Sequence, residues 1–369
     1  MSTVFISVFK QLTDPRIERK KLYPLHEILL VAFATILGGG ETYTDMEDFG
    51  NAKLKTLKDI SEFKNGIPSE DTFARVFELL NPKEFQAVFI DWVTTLSEQD
   101  DRIISLDGKT LRGSASPTNK IKPLHLVQAW AGNNRLTLGF KKTDEKSNEI
   151  TAVPEILKLL SLKGKTVTFD AMGCQVAIAQ QIVDQEGDFL MSLKGNQGNL
   201  HEDVKFFFES EPTNKDIIKF TTESEKGHGR IEKRTYGLYQ NINGFKKLHP
   251  QWNMFKSIGF VTLRRTIGTK ITEETRYYIS TLTDEQKFAE ASRKHWGIEN
   301  SLHWVLDVVF HEDACRIRAK NAAENIAIIR RAALNVVTLD TKNKRSKRLK
   351  RLRAGWDDDY LKKALTQQF

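Results

Sequence analysis

Two aspartates stand where an apolar segment of strand type ends. Asp107 follows the run 102–106, and Asp170 follows the run 165–169. In open sheets with helices on their faces, sites form at the carboxyl ends of the strands, so these two carboxylates are placed to converge. The simpler interpretation of either aspartate alone is that it begins a turn.

A third acid, Glu299, lies in a segment whose apolar residues recur at helical spacing. The pattern predicts one long helix over residues 282–318, with His295, Glu299 and His303 stacked four residues apart on one face. The surrounding apolar residues predict that this helix is largely buried, and a buried glutamate is costly unless it is paired or bound to a cation. The simpler alternative is a salt bridge to Arg293 or to a basic residue elsewhere in the fold.

Three converging carboxylates would repel one another and would require divalent cations. Oxygen ligands select a hard ion, so Asp107, Asp170 and Glu299 predict a site for Mg²⁺, or Mn²⁺ in its place, rather than zinc. Two ions about 4 Å apart support in-line displacement at a phosphodiester, with Asp107 bridging both ions and the other two acids holding one each. The rival site, zinc on His295, Glu299 and His303, leaves both aspartates unexplained.

Length and composition set broad limits. The 369 residues are enough for two or three domains, and the net charge of +8 favours a polyanionic partner, although ribosomal or membrane-surface binding would give a similar balance. The two cysteines, Cys174 and Cys315, predict neither a disulfide framework nor a thiolate zinc cage, which fits a reducing cytoplasm. Cys174 is expected to pack at a helix start. The longest apolar run, residues 28–37, is too short to span a bilayer, so we expect no targeting segment and no membrane partner.

The first hundred residues follow a helical pattern, which predicts an all-helical N-terminal domain over residues 1–100. Short helices joined by tight turns are compatible with a helix-turn-helix reader of DNA, whose recognition helix would be residues 69–78. That helix carries three acids against one base, Arg75, which is an unfavourable balance for phosphates. A plain helical bundle is the alternative.

Beyond residue 100 the pattern changes to three strands followed by alternating helices and strands. This order predicts an α/β catalytic domain over residues 101–341, built on a mixed sheet with helices on both faces. Four strands within residues 215–282 interrupt the alternation and predict a β-rich insertion apart from the main sheet. The basic run in residues 342–369 predicts a solvated C-terminal tail that can contact phosphate.

Basic and amide side chains near these elements form a second set of candidates, for contact with DNA. Lys109 and Arg112 follow the first aspartate closely, although exposed salt bridges would give the same pattern. Arg230 and Arg234 alternate on one face of an insertion strand, as contact with a DNA backbone requires. The full set of predicted DNA contacts is Lys109, Arg112, Lys194, Asn196, Gln197, His228, Arg230, Arg234, His295, His303, Arg316 and Arg318.

Five motifs, taken in order, resemble the DDE transposases of bacterial insertion sequences, specifically the H-repeat-associated group. They are LDGKTLRGS at 106–114, DAMGCQ at 170–175, LKGNQ at 193–197, HGRIE at 228–232, and HWGIEN, LHW and FHED within 295–313. Each motif alone is unspecific, but the five together span most of the chain, and the group typically has a helical N-terminal domain. The resemblance therefore covers essentially the whole sequence.

The resemblance implies a ribonuclease H-like core in which Asp107, Asp170 and Glu299 form the metal-binding triad. It also implies cleavage of double-stranded DNA at the ends of an element and joining of the freed 3′ hydroxyl to a target. The implied assembly is a homodimer in the synaptic complex, in a bacterial cytoplasm and associated with the nucleoid. Two alternatives stay open: a catalytically silent DNA-binding descendant, and a hydrolytic nuclease that stops after cleavage.

The sequence departs from related transposases around the third acid. Those enzymes place a tyrosine and an arginine before the glutamate and a lysine after it, whereas the corresponding positions here hold Ser292, His295 and Leu306. His295 would have to be protonated to replace the arginine, with His303 serving on the following turn, because a neutral histidine is a weaker phosphate ligand.

Overall fold

The structure is a computed structural model that describes residues 4–96, 102–116, 118, 120–143, 149–227 and 229–369. The chain divides into two compact units, each assembled from separate segments. The first, which we call the helical unit, comprises Met1–Asp100, Gly108–Lys146 and Glu299–Phe369, and the second, the sheet unit, comprises Asp101–Asp107 and Ser147–Ile298. Neither unit is continuous in sequence, so the linear domain boundaries stay predictions.

The helical unit contains most of the helices. They are α1 Val4–Phe9, α2 Leu25–Gly38, α3 Tyr43–Ala52, α4 Leu54–Lys58, α5 Glu70–Leu79, α6 Pro82–Leu96, α12 Trp304–Val308, α13 Ala322–Leu339, α14 Lys347–Trp356 and α15 Asp358–Thr366. The predicted helical N-terminus is therefore confirmed. None of the helices in the described part of the chain has by itself the length and apolarity to cross a bilayer, and α2 and α3 pass such a test only as a pair bent by 94°.

The centre of the helical unit is α2, because nearly every one of its residues is apolar and buried. It packs against α13 and α14, and the rings of Phe5, Phe9, Phe33 and Trp92 cluster beside it. The helix ends at Gly39, whose φ of +110° is a conformation that side-chain-bearing residues rarely adopt. The strands β2 Leu124–Ala131 and β3 Thr137–Thr143 form an antiparallel pair in the same unit.

The predicted C-terminal tail is wrong in one respect, because most of its residues fold into α14 and α15. Lys350 and Arg351 are buried. The guanidinium of Arg351 donates to the carbonyl oxygens of Ile36 (2.8 Å), Gly40 (3.3 Å) and Val309, at or just beyond the ends of α2 and α12. Carbonyls at helix ends lack an intrahelical partner. These two basic residues therefore stabilise the fold.

The sheet unit is built on a mixed sheet. Its strands are β4 Thr166–Phe169, β5 Asp188–Leu193, β6 Ile218–Thr221, β7 Glu225–Gly227, β8 Arg230–Tyr239, β9 Ser257–Ile267 and β10 Lys270–Ser280, together with the first residues of β1 Ile103–Leu111. Its helices are α7 Glu149–Leu157, α8 Val176–Asp184, α9 Asn199–Ser210, α10 Asn243–Leu248 and α11 Glu285–His295. The strand order is β1-β4-β5-β10-β9-β8-β6, with β1, β4 and β5 parallel and the remaining strands antiparallel. The predicted α/β class, with a mixed sheet flanked by helices, is confirmed.

The predicted insertion strands exist, but the expectation that they stand apart from the main sheet is wrong. β10 pairs with β5, from Tyr277 opposite Leu193 to Ser280 opposite Leu190. The open edge of β5 has backbone groups that need partners, and β10 supplies them. Residues 270–276 of β10 extend past the carboxyl end of β5, together with the paired parts of β8 and β9. We call this three-stranded extension the arm.

One face of the sheet is covered by α11. The core there contains Leu190, Tyr236, Tyr278, Phe288 and Ala291, all buried. Because side chains alternate along a strand, this face also receives every second residue of each paired strand. The aspartates of the candidate site belong to the same face.

Candidate active site

Asp107 and Asp170 occupy adjacent positions at the carboxyl edge of the sheet unit. Leu106 of β1 is paired in parallel with Phe169 of β4, and each aspartate is the next residue of its chain. Paired residues of parallel strands direct their side chains to the same face, so the two carboxylates belong to one face and one edge. The sequence prediction that these two acids are neighbours agrees with this register.

Two residues before each aspartate, the strands carry polar side chains that form a hydrogen-bonded row. The Thr168 hydroxyl donates to Ser105 Oγ at 3.0 Å and lies 3.0 Å from Nδ1 of His295. Burial lowers the pKa of His295 to about 4, although the nearby Asp170 carboxylate opposes the shift. His295 is therefore neutral at physiological pH, and any contact with phosphate would be made by the neutral ring. Sequence reasoning missed Ser105 and Thr168, whose signal was a polar residue two positions before each acid.

The loop after β5 holds the turn that follows Asp170. Asn196 Nδ2 donates to the carbonyl of Ala171 at 2.8 Å, and Gln197 Nε2 donates to the carbonyl of Cys174 at 2.6 Å. Both were predicted to grip DNA, but these bonds give them a positioning role as well. Cys174 is fully buried, as expected for a packing residue, and burial raises the pKa of its thiol.

Lys194 begins the same loop and is exposed. The turn after Asp170 is closed by its own carboxylate, which accepts from the backbone N–H of Met172 at 3.0 Å. Lys194 comes directly after Leu193, a residue of β5 that is paired with β10. Its predicted contact with DNA fits this position at the same edge.

The predicted helix over residues 282–318 is not continuous. α11 ends at His295, Trp296 caps it, and a single π-helical turn, Glu299–His303, precedes α12. Glu299 is exposed rather than buried, and Arg293 pairs with Glu225 at 2.8 Å. Isolated π turns are frequent at functional sites, and this one begins at the residue predicted to bind metal.

A buried hydrogen-bond chain in the helical unit ends at this π turn. Gln128 Nε2 lies 3.0 Å from Nε2 of His303, and Gln128 Oε1 accepts from Arg331 Nε at 2.7 Å. Arg331 pairs with Glu312 at 2.6 Å, and both side chains are fully buried. Burial lowers the pKa of His303 to about 3, with the Lys109 and Arg331 charges acting in the same direction. His303 is thus neutral and fastened to the interior.

Lys109 is buried and paired, which differs from its predicted role beside a phosphate. Its ammonium lies 2.6 and 2.7 Å from the two oxygens of Asp307 and 3.9 Å from Asp313. Arg112 is the more accessible residue: its backbone N–H donates to Asp313 at 3.2 Å, and its side chain is 85% exposed. Of these two basic residues, Arg112 is the one with a solvent-facing charge.

The predicted DNA contacts of the arm fall into different surroundings. Arg230 and Arg234 both pair with Glu232, at 2.8 and 2.6 Å, and Arg265 joins them at 3.0 Å. Sequence reasoning missed Arg265, because only the pairing of β8 with β9 brings it to that face. His228 lies outside the described residues.

The last two predicted contacts lie in the helical unit. Arg318 Nε donates to the carbonyl of Gly113 at 2.8 Å, which gives it a structural partner. Arg316 is exposed and lines a cleft of about 460 Å³ together with Glu41, Glu70 and Asp71. These acids keep the cleft at the start of α5 unfavourable for phosphate, in line with the charge balance of that helix.

The oxygen donors at the sheet edge fit a hard divalent ion in type. Asp107 and Asp170 supply two adjacent carboxylates from the sheet unit, whereas Glu299 belongs to the helical unit. Across the described residues, no three His, Cys, Asp or Glu side chains form a group able to hold a metal ion. The predicted triad and the rival zinc set on His295, Glu299 and His303 each combine residues of both units, so both stay predictions.

Comparison with known proteins assigns the class. Residues 98–336 match the family model described as Transposase DDE domain, and residues 6–93 match the model described as DDE_Tnp_1-associated. The chain belongs to this family of DDE-domain transposases.

The H repeat-associated putative transposase YhhI of Escherichia coli (strain K12) is 40% identical over 359 residues, covering 95% of each chain. The putative transposase YncI of Escherichia coli O157:H7 is 40% identical over 339 residues, covering 90% of this chain and 86% of its own. The predicted resemblance to the H-repeat-associated group is thereby confirmed. A piggyBac transposase synaptic complex with hairpin DNA aligns with a TM-score of 0.46 and 11% identity, covering 99% of this chain and 77% of that one.

Proposed function

We propose that this transposase cuts double-stranded DNA at the ends of its own element and joins the freed 3′ hydroxyl to a target, with Asp107, Asp170 and Glu299 binding two Mg²⁺ ions, which Mn²⁺ can replace. The observation that carries the proposal is the register that sets Asp107 beside Asp170 on one face of the carboxyl edge. Two adjacent carboxylates at such an edge supply the oxygen ligands that a hard divalent ion prefers.

The reaction consists of two displacements at phosphorus. In the first, water attacks the phosphodiester at the element end, the P–O3′ bond breaks, and the 3′ oxygen leaves as a hydroxyl. In the second, that hydroxyl attacks a target phosphodiester, its proton passes to solvent, and the target P–O3′ bond breaks as the new bond forms. Bound Mg²⁺ would supply activation of the attacking oxygen and stabilisation of the leaving oxygen.

The remaining residues of the site have supporting roles in this proposal. Asn196 and Gln197 hold the turn after Asp170 through its backbone carbonyls. The neutral His295 holds the row below the acids through Thr168. Glu299 is the exposed first residue of the π turn, so its carboxylate is accessible to an ion that arrives with DNA. We propose a homodimer in the synaptic complex and a location in the bacterial cytoplasm, on the nucleoid.

The test uses a plasmid that carries the gene with its natural flanking DNA, incubated with the full-length protein and Mg²⁺. We expect cleaved and strand-transferred products with the wild type and neither product with Asp107→Asn, Asp170→Asn or Glu299→Gln. Asp184→Asn and Glu290→Gln, which remove exposed acids elsewhere on the sheet unit, are the matched controls. Cleavage that survives Asp107→Asn in the presence of a metal chelator would overturn the proposal.

The same assay separates the two alternatives. Nicked DNA without joined product would identify a hydrolytic nuclease, and DNA binding without either product would identify a catalytically silent descendant.

A further inference from the structure

The arm continues the face of the sheet that carries the two aspartates. Thr168 is paired with Leu190, and Leu190 is paired with Ser280, so Ser280 belongs to the face of Asp170. Because side chains alternate along a strand, every second residue back along β10 belongs to the same face, namely Tyr278, Arg276 and Glu274. The register then carries the same face from β10 across β9 to β8. Arg276 is level with Val261 and Tyr236, and Glu274 is level with Leu263 and Arg234.

The next level outward holds the densest charge. Thr272 of β10 is paired with Arg265 of β9. Arg265 is paired in turn with Glu232 of β8, and Glu232 with Glu225 of β7. At about 3.3 Å per residue, the part of β10 beyond the end of β5 is roughly 20 Å long. Arginines therefore recur along one face of the arm, interleaved with Glu274, Glu232 and Glu225.

Four arginines on this face share two glutamates. Glu232 accepts from Arg234 and Arg265, at 2.6 and 3.0 Å, and forms an ion pair with Arg230 at 2.8 Å. Glu225 accepts from Arg234 at 3.1 Å and from Arg293 of α11 at 2.8 Å. The cluster keeps two positive charges in excess, and we call it the arginine track.

The arginine track is arranged to bind further anions. A guanidinium has five N–H donors, and each of these arginines directs only one or two of them to the glutamates. The side chains of Arg230, Arg265 and Arg293 are 43%, 42% and 46% exposed. Burial would raise the pKa of Glu232, but hydrogen bonds from Arg234 and Arg265 hold this pKa below its ordinary value. The Glu232 carboxylate therefore stays negatively charged between the arginines.

We infer that the arginine track binds the phosphodiester backbone of DNA held at Asp107 and Asp170, and that Glu232 and Glu225 fix the guanidiniums in the geometry that accepts it. Planar guanidinium groups match phosphate oxygens, and a track on one face follows a backbone without reading sequence. The inference rests on the proposed function for its ligand. It adds Arg265 and Arg293 to the DNA contacts and gives the two glutamates a positioning role.

The test measures binding of a 30-base-pair duplex of arbitrary sequence by fluorescence anisotropy over a range of NaCl concentrations. Arg230→Gln with Arg265→Gln should weaken binding about tenfold at low salt and reduce the slope of log K against log [NaCl] by roughly one unit per arginine. Arg264→Gln is the matched control, because Arg264 is the neighbouring exposed residue on the opposite face of β9, between Lys233 and Glu273. Equal binding by the Arg265→Gln and Arg264→Gln variants would overturn the inference.

Glu232→Gln is a second test, in which an organised track and a merely positive surface predict opposite changes in DNA affinity. The substitution makes the chain more positive, so a merely electrostatic surface would bind DNA more tightly, whereas a track organised by Glu232 binds it several-fold more weakly. Circular dichroism confirms that each variant is folded, and tighter binding by folded Glu232→Gln would overturn the positioning role.

Asp107→Asn separates this inference from the proposed function. If that variant binds DNA as the wild type does but no longer cuts it, while Arg265→Gln binds weakly, both stand. Cleavage by Asp107→Asn contradicts only the function, and unchanged binding by Arg265→Gln contradicts only the track.

Discussion

The ammonium of Lys109 lies between the two carboxylate oxygens of Asp307, at 2.6 and 2.7 Å, and it is almost completely shielded from solvent. Burial raises the pKa of Asp307 above its ordinary value in spite of the ammonium beside it. The pair fastens the outer half of β1, just beyond Asp107, to α12. Lys109 therefore stabilises the fold, although it belongs to the motif of Asp107, the first acid of the proposed triad.

Lys109→Met should lower the free energy of unfolding by about 2 kcal/mol. The substitution leaves a carboxylate that is two-thirds buried without its partner, and the partial exposure of Asp307 keeps the loss below that of a fully buried pair. Urea denaturation gives the value. The double variant with Asp307→Leu should recover part of the loss, and an unchanged stability joined to a weaker salt dependence of DNA binding would return Lys109 to the phosphate-contact role.

His303 should make stability depend on pH below neutrality. Its pKa is about 3 in the folded chain and near 6.5 when unfolded, so between these values the unfolded chain binds more protons. The free energy of unfolding is then fully present above about pH 6.5 and falls as the pH is lowered through this window, by on the order of 1 kcal/mol per pH unit. His303→Gln should reduce the slope of this dependence between pH 7 and pH 5 in urea titrations and leave the part that His295 contributes, and identical slopes for both proteins would contradict the assignment.

Asn196→Ala should reduce cleavage more than it reduces stability. Losing the bond to the Ala171 carbonyl frees the turn after Asp170, so we expect about tenfold slower cleavage with less than about 1.5 kcal/mol lost on unfolding. Single-turnover cleavage beside thermal denaturation measures the two effects. Asn199→Ala, an exposed residue three positions later, is the control, and equal rates for the two variants would show that the bond has no positioning role.

We expect the basic residues of the C-terminal run to fall into two groups: buried ones that stabilise the fold and exposed ones that do not. Arg351→Met leaves helix-end carbonyls of α2 and α12 without their donor, so we expect it to cost about 3 kcal/mol on unfolding. Arg348→Gln, an exposed position on the same helix, should change stability by less than about 0.5 kcal/mol. Urea denaturation compares the two, and similar losses would mean that Arg351 does not hold these helix ends.

Local patterns in the sequence were sufficient for several features. Helical spacing indicated the helices of the first hundred residues, and apolar runs of strand type indicated the strands beyond residue 100. Of the two aspartates, Asp170 follows the end of β4 as predicted, because a strand followed by a turn has a local signature, whereas β1 continues past Asp107 to Leu111. Their adjacency followed from the parallel arrangement that alternating helices and strands impose.

Only the tertiary structure decided which elements become partners and which charges become buried. The pairing of β10 with β5 made the expected insertion part of the main sheet, and the pairing of β8 with β9 aligned Arg265 with Glu232 although they are far apart in sequence. Burial of Lys109 and Arg351 and the π turn at Glu299 arise from contacts between distant segments. Sequence patterns report the local periodicity of a chain, but pairing and burial depend on neighbours that only the folded chain supplies.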